Sequence, residues 1–461
     1  MKRTILFLLC AILTAPASAD EHGEKRGSRQ PTQTSDASNV PAHSFDVILA
    51  RPTSNSITAS VLCYEKMQGF IAYGTRTGQL TNATPRQTFK KAEPVEIILT
   101  SLQPDTRYFY QVRFTTTNSA EFTFHTARPP GSTFTFTIQA DSHLDSGTSP
   151  EIYLRSLTNA LKSRPDFHID LGDTFMTDKY PEYHVAAPQY VAQRYYFGTV
   201  ASAAPLFLVL GNHDGESRRF IDGTATNMTI WANAMRKKYF PNPQPNEFYR
   251  GNTNLDPFAG RLENYYSWEW GDALFVVLDP FWFTPRQRGS KDNWYRTLGR
   301  EQYDWLKRTL ETSRSKFKFI FIHHLVGGAG RDSRGGAEAA AFYEWGGRGA
   351  NGEKEFSAQR PGWPMPIHEL LVKNKVNIVF HGHDHLYAKQ DLDGIVYQEV
   401  PQPGHVHGST NSAESYGYKQ GKILASPGVI CVTISPDTAR VEYRKTVGGH
   451  ESEVADTYSI H

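Results

Sequence analysis

The sequence predicts a two-part chain, an all-β sandwich over residues 44–128 followed by an α+β or α/β domain over residues 129–461. In the first stretch, short alternating runs rich in β-branched and aromatic residues are cut by turn residues. From about residue 130, nearly continuous apolar runs alternate with helical periodicity, as expected of strands covered on both faces. A third observation bears on chemistry: five of the later strands are each followed at once by residues that bind metals or protons.

Ahead of the sandwich, Lys2 and Arg3 precede an apolar run, Ile5 to Leu13, and a small-residue exit at Ala17-Ser18-Ala19. Charge, short apolar stretch and small residues predict a signal peptide over residues 1–19, hence an exported protein, periplasmic or secreted. The run is short for a bilayer span, and no membrane span is expected once it is removed. Residues 20–43 are polar and predict a flexible linker. Cleavage after Ala19 removes Lys2 and Arg3 and no acid, leaving Lys+Arg and Asp+Glu equal at 47 each. A neutral mature chain carries no electrostatic footprint for nucleic acid or an anionic membrane. Cys63 and Cys431 then remain, in separate apolar runs, and read as two buried thiols.

In the sandwich, strands are expected at 44–49, 56–63, 69–73, 95–99, 108–114 and 120–126. The segment Leu102 to Val112, a turn with Pro104 and Asp105 leading into alternating aromatics, is similar to the tyrosine-corner segment of fibronectin type III domains. No acid, base or ligand cluster appears here, so the unit reads as a packing module. In the second part, strands are expected at 133–140, 167–171, 206–210, 273–278, 317–322 and 376–380, with closing strands at 428–434 and 439–445. Helices are expected at 150–163, capped by Ser149 with Pro150 at the first position, and at 300–313, where Tyr303, Leu306 and Leu310 share a face.

The strand ends carry Asp141-Ser142-His143, Gly172-Asp173, Gly211-Asn212-His213-Asp214, His323-His324 and Gly382-His383-Asp384-His385. Sites in open α/β sheets form at the carboxyl ends of strands. Carboxylate, amide oxygen and imidazole suit Fe, Mn or Zn, and no cysteine lies near enough in sequence to suggest a thiolate site. Asp141, His143, Asp173, Asn212, His323, His383 and His385 would suffice for two ions sharing one bridging carboxylate. Each motif alone is ordinary turn chemistry; the ordered set of five is specific.

That order resembles the calcineurin-like metallophosphoesterases, and the upstream β-unit resembles the arrangement in purple acid phosphatases. The resemblance implies two mixed β-sheets flanked by helices, a four-layer sandwich with a binuclear site of divalent or trivalent ions at one edge. It implies that Asp141, His143 and His385 bind the first ion, that Asp173 bridges, and that Asn212, His323 and His383 bind the second. His213 would lie over the substrate, and Asp214 would orient its ring. Phe175 and Met176 follow where purple acid phosphatases carry a tyrosine ligand, so no purple colour is expected and His143 takes that role. Successive strand residues face opposite sides. The family pattern assigns His323 to the ions and leaves His324 to a supporting or substrate contact.

The reaction expected is hydrolysis of a small phosphate monoester by a water acidified between two cations. The alternatives are a phosphodiesterase acting on nucleotide or lipid head-group esters, and a non-catalytic metal- or phosphate-binding protein. Residues 326–364, with Arg331, Arg334, Arg348 and Arg360, read equally as a lid with an arginine clamp or as a solvated loop. Tyr387 is a candidate pocket wall. Trp231, Phe248, Tyr249, Tyr265 and Tyr266 read as packing.

Overall fold

A computed structural model describes residues 40–145, 147–287, 292–330, 332–446 and 452–461. The expected signal peptide, Cys10 and linker residues 20–39 lie outside the described residues. Among the described residues no helix is long and apolar enough to cross a membrane.

The N-terminal strands form two antiparallel sheets. One contains Phe45–Ala50, Ile57–Cys63 and Val95–Leu99; the other is built on Met67–Gly74, Arg107–Phe114 and Phe122–His125. Alternation decides which side faces in. Tyr108, Tyr110, Val112 and Phe114 of one strand point into a core shared with Val47, Val61, Ile71 and Ile97. The Tyr108 hydroxyl accepts the Gln103 N–H at 2.8 Å, pinning the turn that precedes its own strand. Cys63 and Cys431 are both buried and free.

The larger body stacks two mixed sheets. In the first, Leu206–Leu208, Phe167–Asp170 and Phe134–Gln139 run parallel, followed by antiparallel Gly428–Ile434, Ala439–Lys445 and Glu453–Ile460. In the second, Ala273–Val277, Phe317–Phe321, Ile378–His381 and Ile395–Glu399 run parallel, with antiparallel strands on both sides. Continuous apolar strands arise because both faces are covered. In Ala273–Val277, Phe275 and Val277 face the other sheet, whereas Leu274 and Val276 face helices.

Between the sheets lies an aromatic seam. Phe136 packs on Phe167, Phe275, Phe319, Phe321 and Phe380, and Phe207 stacks on Trp268 at 4.1 Å. Helices Pro150–Lys162 and Ala187–Ala201 cover the outer face of the first sheet through Tyr153, Leu157, Tyr196 and Val200. Helices Arg300–Thr312 and Ile367–Lys373 cover the second through Leu306, Leu310, Leu370 and Leu371. Helix, sheet, sheet and helix make four layers, as the family resemblance implies. Ser149 caps its helix by accepting from Ile152 N–H.

The N-terminal sheets dock on helix Ala187–Ala201. Ile48 and Leu62 enter a core with Phe197 and Ala201. The buried Arg194 guanidinium reaches across to the Ser60 carbonyl at 2.8 Å, the Ser60 hydroxyl at 3.1 Å and the Tyr239 carbonyl. Tyr110 donates to the Ser202 carbonyl at 2.7 Å.

Candidate metal centre

The parallel strands end at a common edge, and their following turns hold the candidate ligands. Phe134–Gln139, Phe167–Asp170 and Leu206–Leu208 lead to Asp141, Asp173 and Asn212. Phe317–Phe321 and Ile378–His381 lead to His323, His383 and His385. Each sheet thus supplies part of the set. These turns are sharp: Asp141, Asp173, His383 and His385 are all left-handed, with φ of 55°, 54°, 84° and 60°. Non-glycine residues avoid this region, and the strain collects where function fixes a side chain. Glycines permit the close approach. A Cβ on Gly382 would lie 2.6 Å from the Ala140 Cβ, and one on Gly211 would lie 1.9 Å from the Asp173 nitrogen.

All seven candidates converge. Asp173, His323 and His383 place ligand atoms within 4.8 Å of one another, and His323 Nε2 is 3.1 Å from Asn212 Oδ1. Beside them, His385 Nε2 lies 3.3 Å from Asp141 Oδ1 and 3.5 Å from His143 Nε2. The halves are joined where His383 N–H donates to Asp141 Oδ2 at 2.9 Å. Burial resists ionisation of both carboxyls. His385 and His323 around Asp141, and His323 and His213 around Asp173, overcome it and hold both below the usual carboxylate range.

The imidazoles are set as a metal requires. A ligating histidine normally has its other nitrogen hydrogen-bonded, which fixes tautomer and ring orientation. His323 Nδ1 donates to the Leu171 carbonyl at 2.9 Å, leaving Nε2 toward Asp173 and Asn212. His383 Nε2 donates to the Asp332 carbonyl at 2.8 Å, leaving Nδ1 as the lone-pair nitrogen. His143 Nδ1 sits 2.9 Å from Asp145 Oδ2, while its Nε2 accepts from the Gln402 amide at 3.1 Å. Asp141 Oδ1 is buried without a hydrogen-bond donor. The donor set and its tautomers fit divalent cations.

A family model for calcineurin-like phosphoesterases matches residues 134–387, a span that takes in every candidate ligand. The chain belongs to the calcineurin-like phosphoesterase family. This phosphoesterase is therefore a metal-dependent hydrolase of phosphoric esters. Its fold is similar to the solved structure of PhoD, with a TM-score of 0.64 and 14% identity over 90% of this chain and 89% of that one. It is also similar to purple acid phosphatase PPD1 from yellow lupin (Lupinus luteus) seeds, with a TM-score of 0.58 and 17% identity over 90% of this chain and 73% of that one. No curated protein sequence matches the chain.

Two expectations for the phosphoesterase need correction. Asp214 does not orient the His213 ring. Its carboxylate accepts backbone N–H groups from Gly211, Asp173, Thr174 and Phe175 at 2.7, 3.1, 2.8 and 2.9 Å, so it ties two ligand turns together. Burial and the Asp173 charge push it up to about 7. Asp178 takes the expected role instead: its Oδ1 is 2.8 Å from His213 Nδ1, and its Oδ2 accepts from Arg219 at 2.5 Å. Tyr387 is core rather than pocket wall. It is buried, stacks on Tyr443 at 4.6 Å and donates to Asp456.

Within residues 326–364, the described part over 333–347 is mostly buried, whereas most of 348–364 is exposed. Trp345 is buried and donates to the Tyr397 hydroxyl, and Arg360 pairs with the buried Glu344. Arg334 pairs with Asp384 at 2.8 Å and donates to the His383 carbonyl at 3.0 Å, buttressing a ligand turn. Arg331 lies outside the described residues. His324 faces away from Asp173: its Nδ1 donates to the Leu325 carbonyl, and its Nε2 is 3.4 Å from Arg296. Asp145, Asp178, Gln402 and Arg296 escape a sequence reading because each sits in a connecting segment without periodicity.

Proposed function

We propose that this chain is an exported phosphomonoesterase with a binuclear centre, in which Asp141, His143 and His385 hold one ion, Asn212, His323 and His383 the other, and Asp173 both. The observation that carries the reading is the fixed rings: His143, His323 and His383 each have one ring nitrogen held by an oxygen, and at His323 the other faces Asp173 and Asn212. Two bound cations would supply Lewis acidity and a water acidified to near neutrality. The rest falls to side chains. His213 is tied at Nδ1 by Asp178, which leaves Nε2 to steady a phosphoryl oxygen and to protonate the departing alkoxide. Its own N–H donates to Asp173 Oδ1 at 2.8 Å, fixing it beside the bridging carboxylate. Water adds to phosphorus, the ester P–O bond breaks, and the alcohol leaves with the proton.

The metals are Fe, Mn or Zn, and without a tyrosine ligand no purple colour is expected. Export is supported by the arrangement of Lys2, Arg3, the apolar run and Ala17 to Ala19. The β-unit over residues 44–128 reads as a fibronectin type III-like packing module, supported by the Tyr108–Gln103 bond.

The test uses mature protein reconstituted in turn with Mn, Zn and Fe. Two equivalents of metal and faster hydrolysis of p-nitrophenyl phosphate than of its bis ester are expected. The opposite preference replaces this reading with a phosphodiesterase. One ion or none, with no turnover of either ester, overturns catalysis. N-terminal sequencing of the exported protein checks cleavage after Ala19.

A further inference from the structure

We propose that Arg219 is a positioning residue for the leaving-group proton: it locks Asp178 against His213 and fastens both to the Asn212 turn, equipping the site for phosphate esters of aliphatic alcohols. The proposal deepens the phosphomonoesterase reading of the same site and rests on it.

Three connecting segments meet at this corner. Asp178 lies in the turn Thr177–Lys179, His213 follows the strand Leu206–Leu208, and Arg219 lies in the turn Arg218–Phe220. Asp178 uses both carboxylate oxygens. Its Oδ1 is 2.8 Å from His213 Nδ1, and its Oδ2 accepts from Arg219 Nη2 at 2.5 Å. The Asp178 N–H also donates to the His213 carbonyl at 3.3 Å. The same Nη2 of Arg219 donates to the Asn212 carbonyl at 3.2 Å. One guanidinium nitrogen therefore ties the partner of His213 to the backbone of a candidate ligand.

Torsional freedom explains why the arginine is there. The carboxylate torsion of an aspartate is broad and roughly two-fold. Held at one oxygen, the Asp178 carboxylate can turn about its Cβ–Cγ bond and carry the imidazole with it. Held at both by charge-assisted bonds, it keeps one plane. Arg219 arrives already placed: the Arg218 N–H donates to the Phe281 carbonyl at 3.3 Å, and the Arg219 guanidinium lies over the Phe220 ring at 4.5 Å. Side-chain exposure falls from 42% at Arg219 to 10% at Asp178. The arginine closes the outer end of the relay, where an ion pair adds little to fold stability.

A fixed His213 ring sets the point at which Nε2 delivers its proton. When the ester P–O bond breaks, the electron pair goes to the leaving oxygen, which takes the Nε2 proton. The water that adds to phosphorus gives one proton back. An aliphatic alkoxide is a strong base and needs the proton as it leaves, whereas p-nitrophenolate departs as a stable anion. A well-placed donor therefore serves alkyl esters selectively.

The experiment measures steady-state rates of metal-loaded mature protein on glycerol 2-phosphate and p-nitrophenyl phosphate. In Arg219→Gln, kcat on the glycerol ester should fall roughly tenfold or more beyond any fall on the nitrophenyl ester. Arg219→Lys, a point charge in place of a fork, should fall between; it carries the same comparison if the glutamine variant fails to fold. In an Asp178→Asn background, Arg219→Gln should add less than about a twofold further loss, because residues acting as one unit are not additive. Metal content should match wild type. Equal losses on the two esters overturn the proposal, as does a full further loss in the Asp178→Asn background. A variant that sheds metal also overturns it, because a mere prop for the Asn212 turn would behave so. Wild-type protein that turns over the nitrophenyl ester but not the glycerol ester overturns it without any variant. Absence of turnover on both esters overturns the phosphoester reading itself.

Discussion

At the scale of single residues, the second partner of each histidine decides what it can do. Asp145 Oδ2 lies 2.9 Å from His143 Nδ1, and Asp145→Asn should loosen that ring and weaken metal binding about ten- to hundredfold. Metal content after dialysis checks this; metal retained at wild-type affinity would remove Asp145 from the account. The two aspartates near His213 should separate cleanly. Asp178→Asn should lower kcat at least tenfold with little change in melting temperature. Asp214→Asn should instead destabilise the fold by about 1–3 kcal/mol, because its carboxylate gathers four backbone donors. Thermal melts and steady-state rates on both variants decide. The seven candidate ligands were legible because each directly follows a strand that apolar runs announce. Asp178 was not. It lies 35 residues from His213 in sequence, and only the fold makes them neighbours. Asp214 is adjacent to His213 in sequence, but its carboxylate turns to the backbone of the ligand turns.

Strands and helices carry their own consequences. His168 is buried in strand Phe167–Asp170 beside Thr137, and burial pushes its pKa down to about 3. The fold therefore favours the neutral ring. The stability linked to it is complete above pH 6.5 and is lost as pH falls from 6.5 toward 3, by up to about 1.4 kcal/mol per unit. Urea midpoints of metal-free protein at pH 7 and 4.5 should differ more for wild type than for His168→Gln; equal differences would exclude His168 as the source. Strand positions were readable from apolar runs, although several stop a residue or two before the predicted ends, where the backbone turns toward the site. Helix Ala187–Ala201 was not readable, because Tyr190, Arg194, Tyr196 and Phe197 are buried on several sides and leave no apolar stripe. The hairpin Leu386–Leu392 and Ile395–Glu399 did carry a signal: Asp393-Gly394, both left-handed, is a two-residue turn of the kind that favours such sequences.

Across the whole molecule, the N-terminal sheets and the hydrolase body share buried structure. Arg194→Ala should cost about 3 kcal/mol by leaving the Ser60 and Tyr239 carbonyls without their donor. Because Ile48 and Leu62 complete a core with Phe197, unfolding should follow one transition by both far- and near-ultraviolet dichroism. Two separated transitions would show that the contact does not couple the parts. The junction between the two central sheets has a different reach. Four of the candidate ligands hang from one sheet and three from the other, and the aromatic seam between them helps to set how the sheets lie against each other. A slip of a few tenths of an ångström in that seam, far from any polar atom, would arrive at the rim as a misaligned pair of half-sites. Catalytic rate is thus a vernier for interior packing, and conservative exchanges at Phe136 or Phe275 can detune the hydrolase while leaving its architecture whole.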